Sequence, residues 1–257
     1  MYRADPLKVL HLTDPHLFAD RGGDLRGTVT YSSLSRVLDH YRQAGWQADL
    51  VLATGDIVQD DSAAAYEHFR ELVGSLGLPV YCVPGNHDVR GLMREALAEP
   101  PFHYCENVES GGWLIAAVDS CVDGEVHGRV DDAALARLAA DIESSPAAHV
   151  LVCLHHPPVL MQSRWLDSVG LENRDQFLAA VSAIPEVRLL LFGHVHQDYE
   201  GAHEGLQILG TPSTCRQFAR YSMLFAVDDN PPAYRRLNLY TDGRFEHELI
   251  WVHDEPV

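Results

Sequence analysis

The chain predicts an α/β fold, a four-layer αββα sandwich in which two stacked mixed β-sheets are flanked by helices. Three observations lead there. Apolar runs of strand length recur and break off in polar turns, at Val9–Thr13, Leu50–Thr54, Val80–Val83, Val150–Leu154 and Val187–Phe192; such continuous runs are typical of strands buried on both faces. Segments with helical spacing of apolar residues lie between several of them. The last quarter instead strings short strands together without helices, which requires a second, mostly antiparallel sheet stacked on the first.

Taken in order, Val9–Thr13 runs into Asp14-Pro15-His16, and a polar loop from Asp20 to Gly27 precedes a helix with Leu34, Val37, Leu38 and Tyr41 on one face. Leu50–Thr54 runs into Gly55-Asp56. A second helix starts near Asp60-Asp61-Ser62, residue types that favour capping over metal binding there, and turns Tyr66, Phe69, Val73 and Leu76 inward. Val80–Val83 stops in Pro84-Gly85-Asn86-His87-Asp88. Phe102–Val108 and Trp113–Val118 read as strands around a Ser110-Gly111-Gly112 hairpin. Helix 131–143, with Leu135, Leu138 and Ile142 on one face, leads to the strand that ends in His155-His156-Pro157-Pro158. Helix 174–184, with Phe177, Leu178, Val181 and Ile184, leads to the strand that ends in Gly193-His194-Val195-His196. Short strands follow at Leu206–Leu209, Met223–Val227, Leu237–Tyr240 and Phe245–Val252, with turns at Asn230-Pro231-Pro232 and at Asp242-Gly243, the latter a strong hairpin signal.

With 257 residues, 46% of them hydrophobic, the chain can bury a full core, and no linker-like stretch divides it, so residues 1–257 read as one domain. Met1–Leu7 is too short and too polar for a signal peptide, and no apolar run reaches membrane-spanning length, which predicts a cytoplasmic protein with no membrane partner. The formal charge is −18. Most of that excess lies on the surface, where it disfavours nucleic acid as a partner. Five cysteines, odd in number and irregularly spaced, outline neither a disulfide framework nor a thiolate site. Cys82 and Cys153 fall inside strands, as small hydrophobes do. The sequence leaves the oligomeric state open.

Five strands that each end in carboxylate, amide or imidazole side chains place those groups together, because ligands of α/β sheets bind beyond the carboxyl ends of the strands. Gly55, Gly85 and Gly193 suit turns that leave a strand sharply or let backbones approach. Taken singly, an Asp-x-His or a strand-end histidine is more often structural, and Gly-Asn-His-Asp alone could be a plain turn. Taken together and in this order, the set predicts a metal site. Oxygen and imidazole donors without sulfur favour Mn, Fe, Zn or Co, and their number exceeds what one ion needs. The natural reading is two ions.

The series Asp14-x-His16, Gly55-Asp56, Gly85-Asn86-His87-Asp88, His155-His156-Pro157 and Gly193-His194-x-His196 resembles the calcineurin-like metallophosphoesterases. The resemblance implies that Asp14, His16, Asp56 and His196 hold one metal and that Asn86, His155 and His194 hold the other, with Asp56 bridging. His155 rather than His156 is implied by the position of the family histidine ahead of its proline. His87 would touch the phosphate instead of a metal.

Gly55-Asp56-Ile57-Val58-Gln59-Asp60, the run Ser62–Phe69, Val126-His127-Gly128, Trp165-Leu166-Asp167 and the run Thr211–Cys215 extend the likeness to nearly the whole chain, toward the bacterial class III cyclic AMP phosphodiesterases of that family. This closer resemblance implies hydrolysis of 3′,5′-cyclic AMP to 5′-AMP by hydroxide held between two transition-metal ions, Fe and/or Mn first, with Zn or Co as alternatives. His16, Asp56, Asn86, His87 and His196 would meet the small-molecule substrate. Asp56, Asn86 and His87 would carry the chemistry, His87 as donor to the phosphate and the leaving O3′. The rivals are another metallophosphodiesterase, acting on a glycerophosphodiester, a lipid pyrophosphate or a nucleic-acid end, and a binding scaffold that has lost catalysis. Every family ligand position is filled, which speaks against the scaffold. His127 could line the pocket, Asn173 could cap its helix or touch the nucleotide, and Ser213-Thr214 could be a turn or part of the substrate rim. His11, His40, His68, His103, His149, His203, His247 and His253 sit in no ligand pattern and read as packing or surface residues.

Overall fold

In the computed structural model, which describes residues 5–253, the apolar runs form two six-stranded sheets. The first runs, edge to edge, Phe245–Trp251, Ala233–Leu239, Leu7–Leu12, Leu50–Thr54, Val80–Val83 and Phe102–Tyr104. Its last four strands are parallel, and Ala233–Leu239 pairs antiparallel with both neighbours. The second runs Tyr199–His203, Leu206–Gly210, Val187–Phe192, His149–Leu154, Trp113–Ala117 and Val108–Ser110. Its four inner strands are parallel and its two edge strands antiparallel. Both sheets are therefore mixed.

Alternation along the strands divides the core into three layers. Val9, Leu52, Leu151, Leu189, Leu191 and Leu237 point between the sheets. Leu10, Val51 and Cys82 point outward from the first sheet against Leu34, Leu38, Tyr66 and Phe69 of helices Thr30–Gln43 and Ala63–Gly74. Val150, Val152 and Leu190 do the same on the second sheet, against Leu138, Phe177 and Val181 of helices Asp132–Ser144 and Arg174–Ser182. Each such side chain withdrawn from water contributes about 1.5–3 kcal/mol. The four-layer arrangement is the arrangement that buries both faces of both sheets. Cys82 and Cys153 are buried inside their strands as small hydrophobes, with burial pushing the Cys153 thiol up to about 12. Among the described residues no helix is long and apolar enough to cross a membrane.

Four expectations need correction. The stretch Phe102–Val108 is not one strand: Phe102–Tyr104 joins the first sheet, Cys105 takes a left-handed φ of 49°, and the chain crosses to the second sheet at Val108–Ser110. The second sheet is not mostly antiparallel, nor is it built by the last quarter of the chain, whose two longest strands return to the first sheet beside Leu7–Leu12. Hydrophobic period shows that a strand exists and which face is buried; it carries nothing about a partner two hundred residues away. Met223–Val227 shrinks to Val227–Asp228, paired with Gln217–Phe218 across a turn closed by Ala219 N–H donating to the Ala226 carbonyl (2.8 Å). Asp60 and Asp61 do not cap the second helix. Ser62 does, accepting from Ala65 N–H at 3.2 Å, while Asp60 accepts from the Ser62 hydroxyl (2.7 Å) and from Ala19 N–H (2.7 Å).

Candidate metal centre

Three ligand-bearing strands belong to the first sheet and two to the second, and all five end on the same side of the sandwich. The turns they enter are strained. Asp14 (φ 53°), His16 (48°), Asp56 (50°), His194 (68°) and His196 (47°) all occupy the left-handed region, where a residue other than glycine costs roughly 1–2 kcal/mol. Backbone pairing fixes them there. Asp14 N–H donates to the Gly55 carbonyl (3.1 Å), His16 N–H to the Asp56 carbonyl (3.0 Å), and Val195 N–H back to the Gly193 carbonyl (2.7 Å).

Gly55 and Gly85 explain why two of these turns can touch. A Cβ on Gly55 would meet Gly85 N at 2.5 Å, and one on Gly85 would meet Asp56 Oδ1 at 2.2 Å. The contact brings the backbone N–H of His87 onto Asp56 Oδ1 at 2.9 Å. Asp88 locks the same pair of turns, accepting from Gly85 N–H (2.9 Å), Ile57 N–H (3.1 Å) and the Tyr66 hydroxyl (3.0 Å). Burial and the neighbouring Asp56 push its carboxyl up to about 6.

The seven candidate ligands converge. His196 Nε2 lies 3.3 Å from Asp14 Oδ1 and 3.0 Å from His16 Nε2, while His16 Nε2 is 3.7 Å from Asp56 Oδ2. On the other side of Asp56, His155 Nε2 lies 3.4 Å from Oδ1, 3.3 Å from Asn86 Oδ1 and 3.1 Å from His194 Nδ1. Ring orientation is set from behind: His155 Nδ1–H donates to the Thr54 carbonyl (2.7 Å) and His196 Nδ1–H to the Arg216 carbonyl (2.5 Å). In the neutral rings this leaves the Nε2 lone pairs facing carboxylate and amide oxygens, acceptors against acceptors. Only shared cations or extra protons make that arrangement favourable, and the second-layer carbonyls are the usual partners of metal-bound histidine. His16 Nδ1 and His194 Nε2 are buried without a hydrogen-bond partner. The donor set fits two transition-metal ions.

The electrostatics agree. Burial holds His16 and His194 down to about 3, so both stay neutral and able to ligate. Burial alone would raise Asp14 and Asp56, yet the imidazoles beside them, His196 and His155 respectively, hold both below the usual carboxylate range. His155 shows what fills the gap between Asp56 and Asn86 when only protons are available. Burial lowers it, but the Asp56 carboxylate overturns that and raises it to about 9.

His87 stands close enough to His16 and Asp56 to join a metal-holding group with them, but its wiring differs from theirs. Gln59 Nε2 lies 3.2 Å from its Nδ1 and donates to it, which puts the ring proton on Nε2 and leaves a donor for a ligand. His156 is held differently: its Nδ1 pairs with the Ser120 hydroxyl (2.9 Å), its Nε2 is buried without a partner, and its ring packs so tightly on Gly128 that a Cβ there would meet it at 2.3 Å. The geometry favours His155 for the place between Asp56 and Asn86, although His156 still stands in a group with His155 and His194. His127 does not line the cavity that holds the ligands; its neighbour Val126 does. Asn173 occupies the N-cap position without capping. Its amide bonds Val130 in both directions (3.1 and 2.7 Å), tying the loop before helix Asp132–Ser144 to that before Arg174–Ser182. Ser213 and Thr214 are buried behind the site, Ser213 Oγ donating to the Asp14 carbonyl at 2.6 Å, and form no rim.

Two features lie outside the sequence reading. One is a buried chain beneath Asp14. Arg235 Nε donates to Thr211 Oγ1 (3.0 Å), Thr211 to His11 Nδ1 (2.8 Å), His11 Nε2 to Thr54 Oγ1 (2.8 Å), Thr54 to Thr13 Oγ1 (2.8 Å) and Thr13 to Asp14 Oδ2 (2.5 Å). The direction requires a neutral His11, and burial lowers its pKa to about 3. The other is an apolar side to the cavity of about 210 Å³, made chiefly by Val126, Trp165, Val169, Phe218 and Phe225. Trp165-Leu166-Asp167 and Val126 fall in the runs that carry the family likeness; Phe225 falls only in the strand expected at Met223–Val227, and neither phenylalanine has a signal that ties it to the site.

A fold of two stacked mixed sheets with a dinuclear-type ligand set at the strand ends defines a metallophosphoesterase, and the match of residues 7–198 to the calcineurin-like phosphoesterase family model agrees: the chain belongs to that family. Among characterised relatives it is 38% identical to the 3′,5′-cyclic adenosine monophosphate phosphodiesterase CpdA of Vibrio vulnificus, over 95% of this chain and 89% of that one. It is 36% identical to CpdA of Escherichia coli K12, over 96% and 90%. A dimetal phosphatase from Danio rerio, 15% identical, shares the fold with a TM-score of 0.63 over 97% of this chain and all of that one.

Proposed function

We propose that this protein hydrolyses 3′,5′-cyclic AMP to 5′-AMP at a dinuclear centre of iron and/or manganese, with zinc or cobalt as the alternatives. The observation that carries the reading is the gathering of six other ligand-type side chains around Asp56, directly or through His16 and His155, in a chain whose relatives at 36–38% identity are named for that reaction. Asp14, His16, Asp56 and His196 would hold one ion and Asn86, His155 and His194 the other, with Asp56 shared between them. Ions bound there supply Lewis acidity and a water of pKa near about 7, and neutralise the phosphate oxygens.

The protein's own groups do the rest. Water adds to phosphorus, the P–O3′ bond breaks, and one proton must reach O3′. His87, with its Nδ1 lone pair turned to Gln59 and its proton on Nε2, hydrogen-bonds the phosphate and the departing O3′ as a donor, and the proton that O3′ gains is the one the attacking water gives up. Its backbone N–H holds Asp56 in place from the same turn. His16, Asp56, Asn86, His87 and His196 face the cavity in which the phosphate sits. A net charge of −18 repels a cyclic nucleotide at long range, so capture depends on the local field of the ions. Turnover of cyclic AMP, cyclic GMP, 2′,3′-cyclic AMP, a glycerophosphodiester and a phosphomonoester by metal-reconstituted protein tests the reading. We expect cyclic AMP to lead; a strong preference for the monoester or the glycerophosphodiester overturns it.

A further inference from the structure

The apolar side of the cavity has no work to do in phosphodiester cleavage itself, which needs charge and hydrogen bonds. It is nonetheless built from three aromatic rings in mutual edge-to-face contact. Trp165 lies 5.1 Å from Phe218 and 5.1 Å from Phe225, and the two phenylalanines are 5.3 Å apart, all with interplanar angles above 70°. They come from two places in the chain, the short helix Arg164–Asp167 and the ribbon formed by Gln217–Phe218 and Val227–Asp228. Phe218 lies flat on His196, 3.9 Å away at 9°, so the aromatic surface starts at a candidate ligand and runs outward. At its outer end Phe225 is 44% exposed, with the Arg26 guanidinium over its ring at 5.0 Å, and Val126 is 55% exposed, apolar surface at the mouth of a charged site. Trp165 Nε1 is buried with no hydrogen-bond partner, so the wall also holds one unused donor.

The chemistry of the lining selects the occupant. No lysine or arginine lines the cavity, which argues against a second phosphate, and a glycerol headgroup has nothing apolar to offer such a wall. A planar heteroaromatic ring joined to the phosphate through one sugar has both what the wall takes and the reach to lie on it. Resting on the phosphodiesterase reading above, we propose that Trp165, Phe218 and Phe225 form the subsite for the nucleobase of a cyclic nucleotide, so that the wall rather than the metal centre distinguishes nucleotides from simpler phosphodiesters.

The test compares cyclic AMP with ribose 3′,5′-cyclic phosphate lacking a base, on metal-reconstituted full-length protein. Stacking of one base on an aromatic side chain contributes about 1–3 kcal/mol by alanine substitution, or about 5- to 150-fold. Trp165→Ala and Phe225→Ala should each lower kcat/KM for cyclic AMP within that range, mainly through KM, and leave the base-free substrate unchanged. Trp165→Phe should restore most of the loss. Titration with a slowly hydrolysed phosphorothioate analogue of cyclic AMP should quench tryptophan fluorescence in the wild type but not in Trp165→Phe. Equal losses on both substrates, no loss on either, or a wild type that cleaves the base-free substrate as well as cyclic AMP each overturn the proposal. If Trp165→Ala fails to fold, the half-exposed Phe225→Ala decides by the same comparison. A wild type that cleaves a glycerophosphodiester and ignores cyclic AMP fails the underlying function instead, and is told apart by that result alone.

Discussion

The cavity has a polar floor and an apolar wall, and the two are held in place by different means. The floor is fixed by backbone: five of its candidate ligands sit in left-handed turns held by backbone hydrogen bonds, and Asp56 and Asp14 accept further backbone N–H groups from His87 and His194. The wall is fixed by side chains packing on one another from a short helix and a short ribbon, with Phe225 partly in water. Damage to the floor should therefore abolish function as a unit, because each ligand is positioned against the others. Damage to the wall should be graded.

The largest effect should come from emptying the floor. Chelation should abolish hydrolysis while the circular dichroism of the sandwich survives, since the ligands lie outside the three apolar layers. The melting temperature should nevertheless fall: an ion at 100 times its dissociation constant stabilises the native state by about 2.7 kcal/mol, and its loss leaves Asp14 and Asp56 close together without a cation. Collapse of the far-ultraviolet spectrum on chelation would make the metals part of the core and erase the distinction drawn above.

Asp56→Asn should come next, since it removes the one anion placed between the two groups of ligands. Metal content and activity should fall together, and by more than the roughly 10–100-fold typical of changes one layer behind a metal. Two tightly bound ions and near-normal turnover in this variant would break the assignment of the bridge.

A neighbouring pair sharpens the floor further. Asn86→Ala should lower metal occupancy, whereas His87→Ala should keep both ions and lose about 10²–10³ in turnover, the scale for one donor to developing charge. The His87 defect should shrink on an aryl phosphodiester, whose leaving group needs no proton. Full metal content and unchanged turnover of cyclic AMP in His87→Ala would remove this ring from the mechanism.

The smallest effect concerns what lies beneath the floor. Unfolded, His11 takes a proton near about 6.5; folded, only near about 3. Between those values the unfolded chain binds the extra proton, so stability is complete above the upper value and is lost as pH falls toward the lower one. His11→Gln, which can hydrogen-bond without titrating, should flatten the decline between pH 7 and pH 5 in urea midpoints. An unchanged slope would show that His11 is not among the groups that set it.

Much of the floor was legible because its ligands follow apolar runs at fixed offsets, so the strand pattern that builds the sheets also locates the chemistry. Asp14-x-His16 and His194-x-His196 could be read from the chain alone; that they face one another across two sheets could not, since pairing between strands depends on partners far away in sequence. The same limit misplaced Ala233–Leu239 and Phe245–Trp251. Asp88 and Gln59 lie in motifs that show no role for them, because what they do is hydrogen-bond a turn and a ring, visible only when Gly85, Ile57 and His87 have positions. The wall was the least legible part. Phe218 and Phe225 stand in no partner motif, and the apolar run Met223–Val227 around Phe225 reads as a strand although only Val227–Asp228 pairs there.

The left-handed turns also bear on how such a protein would drift if selection for catalysis were relaxed. Asp14, His16, Asp56, His194 and His196 each hold a conformation that glycine or asparagine adopts more cheaply, and each is buried among groups that repel or leave one another unpartnered without ions. In this fold the residues proposed to hold the metals are the ones the scaffold would rather lose. A lineage no longer screened for turnover should erode first at these positions and gain stability as it does so, keeping both sheets and their helices intact. Gly or Asn at the ligand turns of an otherwise well-preserved chain would thus be the footprint of a scaffold that has left catalysis behind.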